Sequence, residues 1–379
     1  MMTPSDSIQD LINALMDLEH QFPSKLLYQF SDFSPSEQKT LASCWSKVPL
    51  QRRQTFLQDL VSLAENDPVL MYESVARIAL EDEDSDVCVS AIDLLFDSED
   101  HHLIPVYLRL LADQTRNEAV RAAVANALGP YVYMGEVEKI RAEVLHEIEN
   151  ALLHAYNEDE SELVKRRALE ALGYSSREEI PQMLRKAVAM QDELWLESAM
   201  FAMGRSADEQ WESSVMENIE HENLAVRIQA VHAAGELGLK KARKSLLREI
   251  GVVDDDELRH EIIWALAQIG GEGVERKLDS LLASAEDDDE IAFLEEAMEL
   301  LNFTEGGEEM DLISIPWGQT DVEADEDQVD DDEFEDDEDE FSYDEDIDDE
   351  EWQQYIDDDD DVDDDDEFSL GEFDDDRFK

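Results

Sequence analysis

Three histidine–glutamate pairs, His146-Glu147, His221-Glu222 and His260-Glu261, are the residues of this chain best suited to chemistry. An imidazole beside a carboxylate can hold a transition metal or pass a proton. One pair supplies two ligands, however, and a two-metal centre needs several that converge. His221-Glu222 falls in a turn, and His146-Glu147 lies in a stretch with its own spacing, so the expected role of the pairs is a polar helix surface. Ser-His-Asp patterning, phosphate-binding glycine loops, CxxC, HExxH and Asp-x-Asp-x-Asp-Gly runs are absent. Cys44 and Cys88 are too few for a disulfide framework. The residue types therefore predict no catalytic group, no metal and no cofactor.

Binding chemistry is better represented. Lys240, Lys241, Arg243, Lys244 and Arg248 fall within nine residues on an amphipathic stretch, Lys240–Ile250, and offer a docking face for acid. Residues 321–379 answer with 36 acids against two bases, interleaved with Phe334, Phe341, Tyr343, Trp352, Tyr355, Phe368, Phe373 and Phe378. Purely solvating tails are poor in aromatics. Rings among acids suit recognition of basic partners, because charge steers the encounter and rings anchor it. The run Asp348-Asp349-Glu350-Glu351-Trp352-Gln353-Gln354-Tyr355-Ile356 favours a helix on binding, with acids at its start and Trp352, Tyr355 and Ile356 on one face. The same tail is long enough to fold back on the basic stretch, so an intramolecular docked state, minor or fluctuating, is a further expectation.

The charge balance limits the partners. The 379 residues contain 29 Lys plus Arg against 100 Asp plus Glu, a net charge of −71. Residues 1–320 alone carry 64 acids and 27 bases, so the body is acidic without its tail. Nucleic-acid phosphates and anionic lipid surfaces are both repelled by such a surface. No run of about 18 apolar residues is present to span a membrane, and the start, Met1-Met2-Thr3-Pro4-Ser5-Asp6, lacks a basic region leading into an apolar one. A cytoplasmic protein with other proteins, basic ones, as partners is expected.

What must position these groups is a repeat. Val120-Arg121-Ala122-Ala123-Val124-Ala125-Asn126-Ala127-Leu128-Gly129 returns as Val164-Lys165-Arg166-Arg167-Ala168-Leu169-Glu170-Ala171-Leu172-Gly173 and as Val226-Arg227-Ile228-Gln229-Ala230-Val231-His232-Ala233-Ala234-Gly235. Looser copies begin at Val87, Trp195, Leu258 and Ile291, giving steps of 33, 44, 31, 31, 32 and 33 residues. The long step predicts an insertion or a lengthened helix over Met134–Glu147. The anchor and the residues four, seven and eight further on share one helix face. Three residues ahead of the anchors stand Asp84, Asn117, Ser161, Asp192, Asn223, Asp255 and Asp288, all types that cap a helix start. A second amphipathic stretch precedes each capped helix, as in His101–Ala112, Glu178–Ala189 and Trp211–Ile219, so the unit is helix, turn, helix. Gly129, Gly173, Gly204, Gly235 and Gly270 are expected to end helices in the left-handed conformation. Arg121, Lys165, Arg227 and Arg259 are expected to pair with acidic turns of neighbouring repeats. Trp195, Trp211 and Trp264 read as core or groove wall.

The capped Val-Arg-x-x-Ala-x-x-Ala-Leu-Gly pattern resembles the HEAT repeat, in the short form of phycobilisome-lyase-type proteins. It covers about 235 residues and is clearest at 120–129, 164–173, 226–238 and 258–270. The chain as a whole also resembles bacterial HEAT-repeat proteins with an acidic tail. The resemblance implies an all-α fold: an α-solenoid of about seven HEAT-like helix pairs, an armadillo-like superhelix, with second helices lining a concave face. We divide the chain into an irregular helical N-terminal cap (1–67), the solenoid (68–303), a linker (304–320) and a disordered acidic, aromatic tail (321–379). Such arrays are mostly binding scaffolds, so the expected function is a non-enzymatic protein-interaction scaffold or adaptor. The alternative is a HEAT-like enzyme or enzyme subunit. Deoxyhypusine hydroxylase carries di-iron on His-Glu pairs two residues after several anchors, where this chain has only His260-Glu261. Lyases of the phycobilisome type hold a tetrapyrrole.

Overall fold

The computed structural model describes residues 4–312 apart from Asp32, Pro68 and Glu286, and for 4–7, 288 and 305–312 the backbone alone. Among the described residues every regular element is a helix. An N-terminal group comprises α1 (Pro4–Met16), α2 (Ser24–Leu27), α3 (Pro35–Trp45) and α4 (Leu50–Asn66). Then come α5 (Glu73–Ala79) with α6 (Ser85–Asp93), α7 (Leu103–Ala112) with α8 (Glu118–Ala127), an extra α9 (Gly129–Glu136), and α10 (Ala142–Glu158) with α11 (Glu162–Ala171). The series continues with α12 (Ile180–Ala189) and α13 (Glu193–Arg205), α14 (Glu212–Asn218) and α15 (Leu224–Glu236), α16 (Arg243–Glu249) and α17 (Asp256–Ile269), and α18 (Val274–Leu282) and α19 (Asp288–Leu312). Seven helix pairs thus stack between α5 and α19. The long repeat step is α9, entered through Gly129-Pro130 directly after α8.

Second helices pack face to face in sequence, α6 on α8, α8 on α11, and onward to α19, whereas first helices meet one another much less. We call this more extensively packed layer of second helices the inner layer. Its tightness has a residue-level cause. Gly173 lies where a Cβ would stand 2.7 Å from the Ala202 carbonyl oxygen and 2.8 Å from Ala202 Cα. Gly235 meets Ala265 in the same way, at 2.9 Å from its Cα. Each pair joins the residue nine places after one anchor to the residue seven places after the next, which is why the decad ends in Ala-x-Gly. The expected left-handed conformation is therefore corrected: of the five glycines only Gly270 has a positive φ, at 60°, and its ψ of −167° is extended rather than left-handed helical. At Gly173 and Gly235 a neighbouring backbone occupies the place of a side chain, at Gly204 the Ala233 Cα would stand 3.0 Å from a Cβ, and at Gly129 the nearest backbone, 3.4 Å away, leaves room for one. Gly173→Ala should lower stability by about 1–3 kcal/mol, overpacking outweighing its better helix propensity. Thermal melting checks this, and an unchanged or higher Tm would refute the close approach.

Helix starts follow the capping residues closely. Asp84, Asn117, Asp192, Asn223 and Asp255 each accept a hydrogen bond from a first-turn amide, at 2.8–3.2 Å. Two positions differ. The Ser161 hydroxyl donates to Glu118 Oε2 at 2.6 Å, and Asp159 accepts from the Ser161 amide instead, at 2.8 Å. At the last repeat Asp287, one residue early, accepts from Asp289 and Glu290 amides.

Toward the N-terminus α3 stacks on α5 and α4 on α6, continuing both layers. Phe22, Phe30 and Phe56 form its core, with Phe30 and Phe56 centroids 4.7 Å apart. At the other end α19 runs past Phe303, through Gly306-Gly307, to Leu312, where glutamate, methionine and leucine around the glycines sustain the helix. The expected tail and its disorder lie outside the described residues, as do residues 313–320 of the expected linker, whereas 304–312 continue α19.

Candidate functional site

The basic stretch is placed differently from its expected single helix. Lys240 and Lys241 stand in the turn before α16, which begins at Arg243 because residues 239–242 make the turn that ends the preceding repeat. Glutamates of the neighbouring repeat answer its charges. Lys241 pairs with Glu212, and Arg248 with Glu220 at 3.1 Å. Arg243 donates to the Gly270 carbonyl at 3.0 Å. Lys244 is exposed. The tail candidates Phe334, Phe341, Tyr343, Trp352, Tyr355, Phe368 and Phe373 lie outside the described residues, as does any docking of the tail.

The bases after the anchors form only part of the expected ladder. Arg121 makes two hydrogen bonds of 2.9 Å to Asp159, in the turn before α11, and Arg259 pairs with Glu290 at 2.7 Å. Arg227 reaches Glu249 at the end of α16. Lys165 departs from the pattern, pairing within its own helix with Glu162 at 2.9 Å, since Arg166 and Arg167 take the inward positions beside it.

The His-Glu pairs do not act as pairs. His146 engages its own helix, at the Ala142 carbonyl, and His221 accepts from the Asn223 amide. His260 packs on Phe293, while its neighbour Glu261 turns to His232, 2.8 Å away. Among the described residues no three His, Cys, Asp or Glu side chains converge on a point where a metal could sit.

The inner layer does carry a site. A groove of about 410 Å³ opens over α8, α11, α13 and α15. Ala119, Ala122, Ala123 and Leu163 make its apolar side. Asn126, Arg167, Glu170, Glu197, Phe201 and Gln229 supply the rest. They stand two, three or six places after an anchor, a stripe on the face opposite the small buried residues. Arg167 and Glu170 pair at 2.5 Å, and Ser198 donates to Glu170 at 2.6 Å. Burial, and then the nearby Glu170 charge, raise the Glu197 carboxyl, partly offset by Arg166 and Arg167.

Beyond Phe201 the stripe becomes a stack. Arg205 Cζ lies 4.0 Å from the Phe201 ring centre and 4.8 Å from that of Tyr174, and burial lowers its pKa. His232 stacks on Trp264, centroids 4.5 Å apart and planes within 10°. Burial alone would lower the His232 pKa, yet hydrogen bonds with Glu236 and Glu261 push it up to about 9. A raised histidine pKa stabilises the fold fully below its unfolded value of about 6.5 and loses that contribution as pH rises through about 9. Wild type should lose on the order of 2 kcal/mol across that window relative to His232→Gln. Denaturation at a series of pH values checks it, and parallel curves for the two proteins would contradict it.

Sequence reading found the buried positions of the decad and, of this stripe, singled out only Trp264, as core or groove wall. Its signal was present: Asn126, Glu170, Phe201, His232 and Trp264 all stand six places after an anchor, polar or aromatic between two aliphatic or methionine neighbours.

Comparison with known proteins agrees on the repeat. The family model for HEAT repeats matches residues 219–302, which span α15 to α18 and most of α19. No curated protein sequence matches the chain. YibA of Escherichia coli is similar in structure at 14% identity, with 75% of this chain and 98% of that chain covered and a TM-score of 0.38. Human deoxyhypusine hydroxylase is similar at 16% identity, over 79% of this chain and 98% of that one, with a TM-score of 0.32. Importin beta is similar at 13% identity, over 78% of this chain and 57% of that one, with a TM-score of 0.33. Scores this low license no transfer of activity or partner.

Proposed function

We propose that this HEAT-repeat chain works without catalysis of its own, as a cytoplasmic scaffold or adaptor whose inner helix layer and acidic surface receive a partner protein with a basic surface. The observation that carries the reading is the open groove on the inner layer, where Glu170 and Arg167 are engaged within the stack but the Gln229 Oε1 acceptor on the α15 side has no donor. Net charge adds to it: at −71, long-range attraction selects basic partners and repels phosphate-rich ones. The acids and rings of residues 321–379 extend that attraction along the sequence. The contacts of the His-Glu pairs support binding over the metal alternative, because Glu261 is engaged by His232 and His260 by Phe293. Among the described residues no helix is long and apolar enough to cross a membrane.

Titration of a fluorescent lysine-rich peptide with the full chain tests the reading. Affinity should fall roughly 10-fold or more between about 50 and 300 mM salt, since screening shortens the reach of exposed charge. A glutamate-rich peptide of the same length should not bind. Equal binding of the two peptides, or none of the basic one at low salt, would overturn the proposal.

A further inference from the structure

We propose that the groove over α8, α11, α13 and α15 is a receptor for one lysine or arginine side chain of the partner protein, its aliphatic stem on the alanines and its cationic head against Glu197 and Gln229. This rests on the scaffold reading above and names the side chain that docks and the place it occupies.

Counting hydrogen-bonding capacity around the groove leads to this ligand. Arg167 and Glu170 answer each other, and Glu170 also accepts from Ser198. Two acceptors remain on the α13–α15 side. Gln229 Oε1 is buried and accepts no hydrogen bond from the protein. Glu197 has no hydrogen-bond or ion-pair partner among the described residues, although it is half-buried and burial disfavours its charge. An acceptor removed from water without a donor is unfavourable, and more so when ionised. The missing partner must therefore bring N–H groups and positive charge.

Other occupants fit less well. An anion would meet Glu197 and Glu170, and of the two cations near them Arg167 is paired with Glu170 while Arg166 donates to Ser198. A purely apolar group would leave both acceptors without donors. A bare divalent ion would find no three converging ligands among the described residues. A lysine or arginine satisfies both halves of the groove, because its methylenes pack on apolar surface while its head reaches polar groups. The small side chains of Ala119, Ala122 and Ala123 leave the space that the stem needs. At about 410 Å³ the groove also admits a few waters around the head. Both cationic side chains share this chemistry, and the two can be told apart by measurement.

The test uses the full chain and peptides that carry one lysine, one arginine or one trimethyllysine in a common neutral sequence. Trimethyllysine keeps the charge and has no N–H to donate. Wild type should bind the lysine or the arginine peptide, whichever is tighter naming the natural head group, and the trimethyllysine peptide about 10-fold more weakly. Glu197→Gln should weaken the preferred peptide by about 10-fold, whereas Glu217→Gln, an exposed acid on α14, should change it less than about twofold. Ala119→Leu, at an exposed rim position, should weaken binding by narrowing the groove. Melting curves of the three variants should match wild type, and Ala119→Leu covers the case in which Glu197→Gln does not fold. Equal binding of all peptides by wild type and variants, with salt-sensitive binding of lysine-rich peptide retained, would overturn the groove assignment and leave the scaffold reading standing. Failure of wild type to bind lysine-rich peptide at low salt would remove the scaffold reading itself.

Discussion

Ala230→Glu is expected to destabilise the stack by roughly 4 kcal/mol or more, enough to unfold its central repeats near physiological temperature. Ala230 has no solvent exposure and stands four places after its anchor, Val226, which is also fully buried. Its helix, α15, packs between α13 and α17, and these are among the closest helix contacts in the molecule. A glutamate there must displace packed neighbours and bury a carboxylate with no donor. Chemical denaturation of the full chain reads the effect. Wild-type stability would mean that the face of α15 assigned to the core is wrong, and with it the register of every repeat.

Asp159→Ala comes next in size, at about 3–5 kcal/mol. The Arg121 and Asp159 side chains are 7% and 1% exposed, and the pair joins α8 to the turn that opens α11. Two hydrogen bonds of 2.9 Å fix the guanidinium in the plane of the carboxylate. Removing the acid strands a buried cation, which keeps its hydrogen bond to the Arg116 carbonyl and the more distant charges of Glu118 and Asp113. The same change releases the Ser161 amide. Replacing both partners with apolar residues, Arg121→Met with Asp159→Leu, should recover much of the loss, since a buried pair gains little over good packing. Equal destabilisation by the single and the double variant would contradict that assignment.

The buried half of the repeat was legible because it obeys a period: anchor, small residue, alanine and cap recur at fixed offsets, and helix geometry converts those offsets into one face. The glycines were legible as positions and misread in role. Gly173 and Gly235 look like chain terminators in one dimension, and only stacking shows that Ala202 and Ala265 stand where a Cβ would be. The ladder of bases was foreseen at Arg121 and Arg259, whose partners lie a repeat away, and missed at Lys165, where the adjacent Arg166 and Arg167 change which base faces inward. The groove escaped notice for a different reason. Its residues share no single type, being Asn126, Glu170, Phe201 and Gln229, so neither composition nor motif unites them. They become a site only when successive helices bring residues two, three and six places after several anchors side by side.

The charges of the basic stretch illustrate the same limit. Lys241 and Arg248 stand out in a sequence rich in acid, yet Glu212 and Glu220 of the preceding repeat already pair with them. On the proposed reading, attraction for a basic partner resides in the acids that remain without an ion-pair partner, and Glu197, half-buried in the inner layer, is one of these.

Amide hydrogen exchange of the full chain, with and without saturating lysine-rich peptide at low salt, tests the central claim most directly. Binding in the groove should slow exchange in α8, α11, α13 and α15, the four helices that wall it, and leave the first helices α12, α14 and α16 unchanged. Slowing confined to first helices, or bound peptide with no change in any of the four inner helices, would contradict the account.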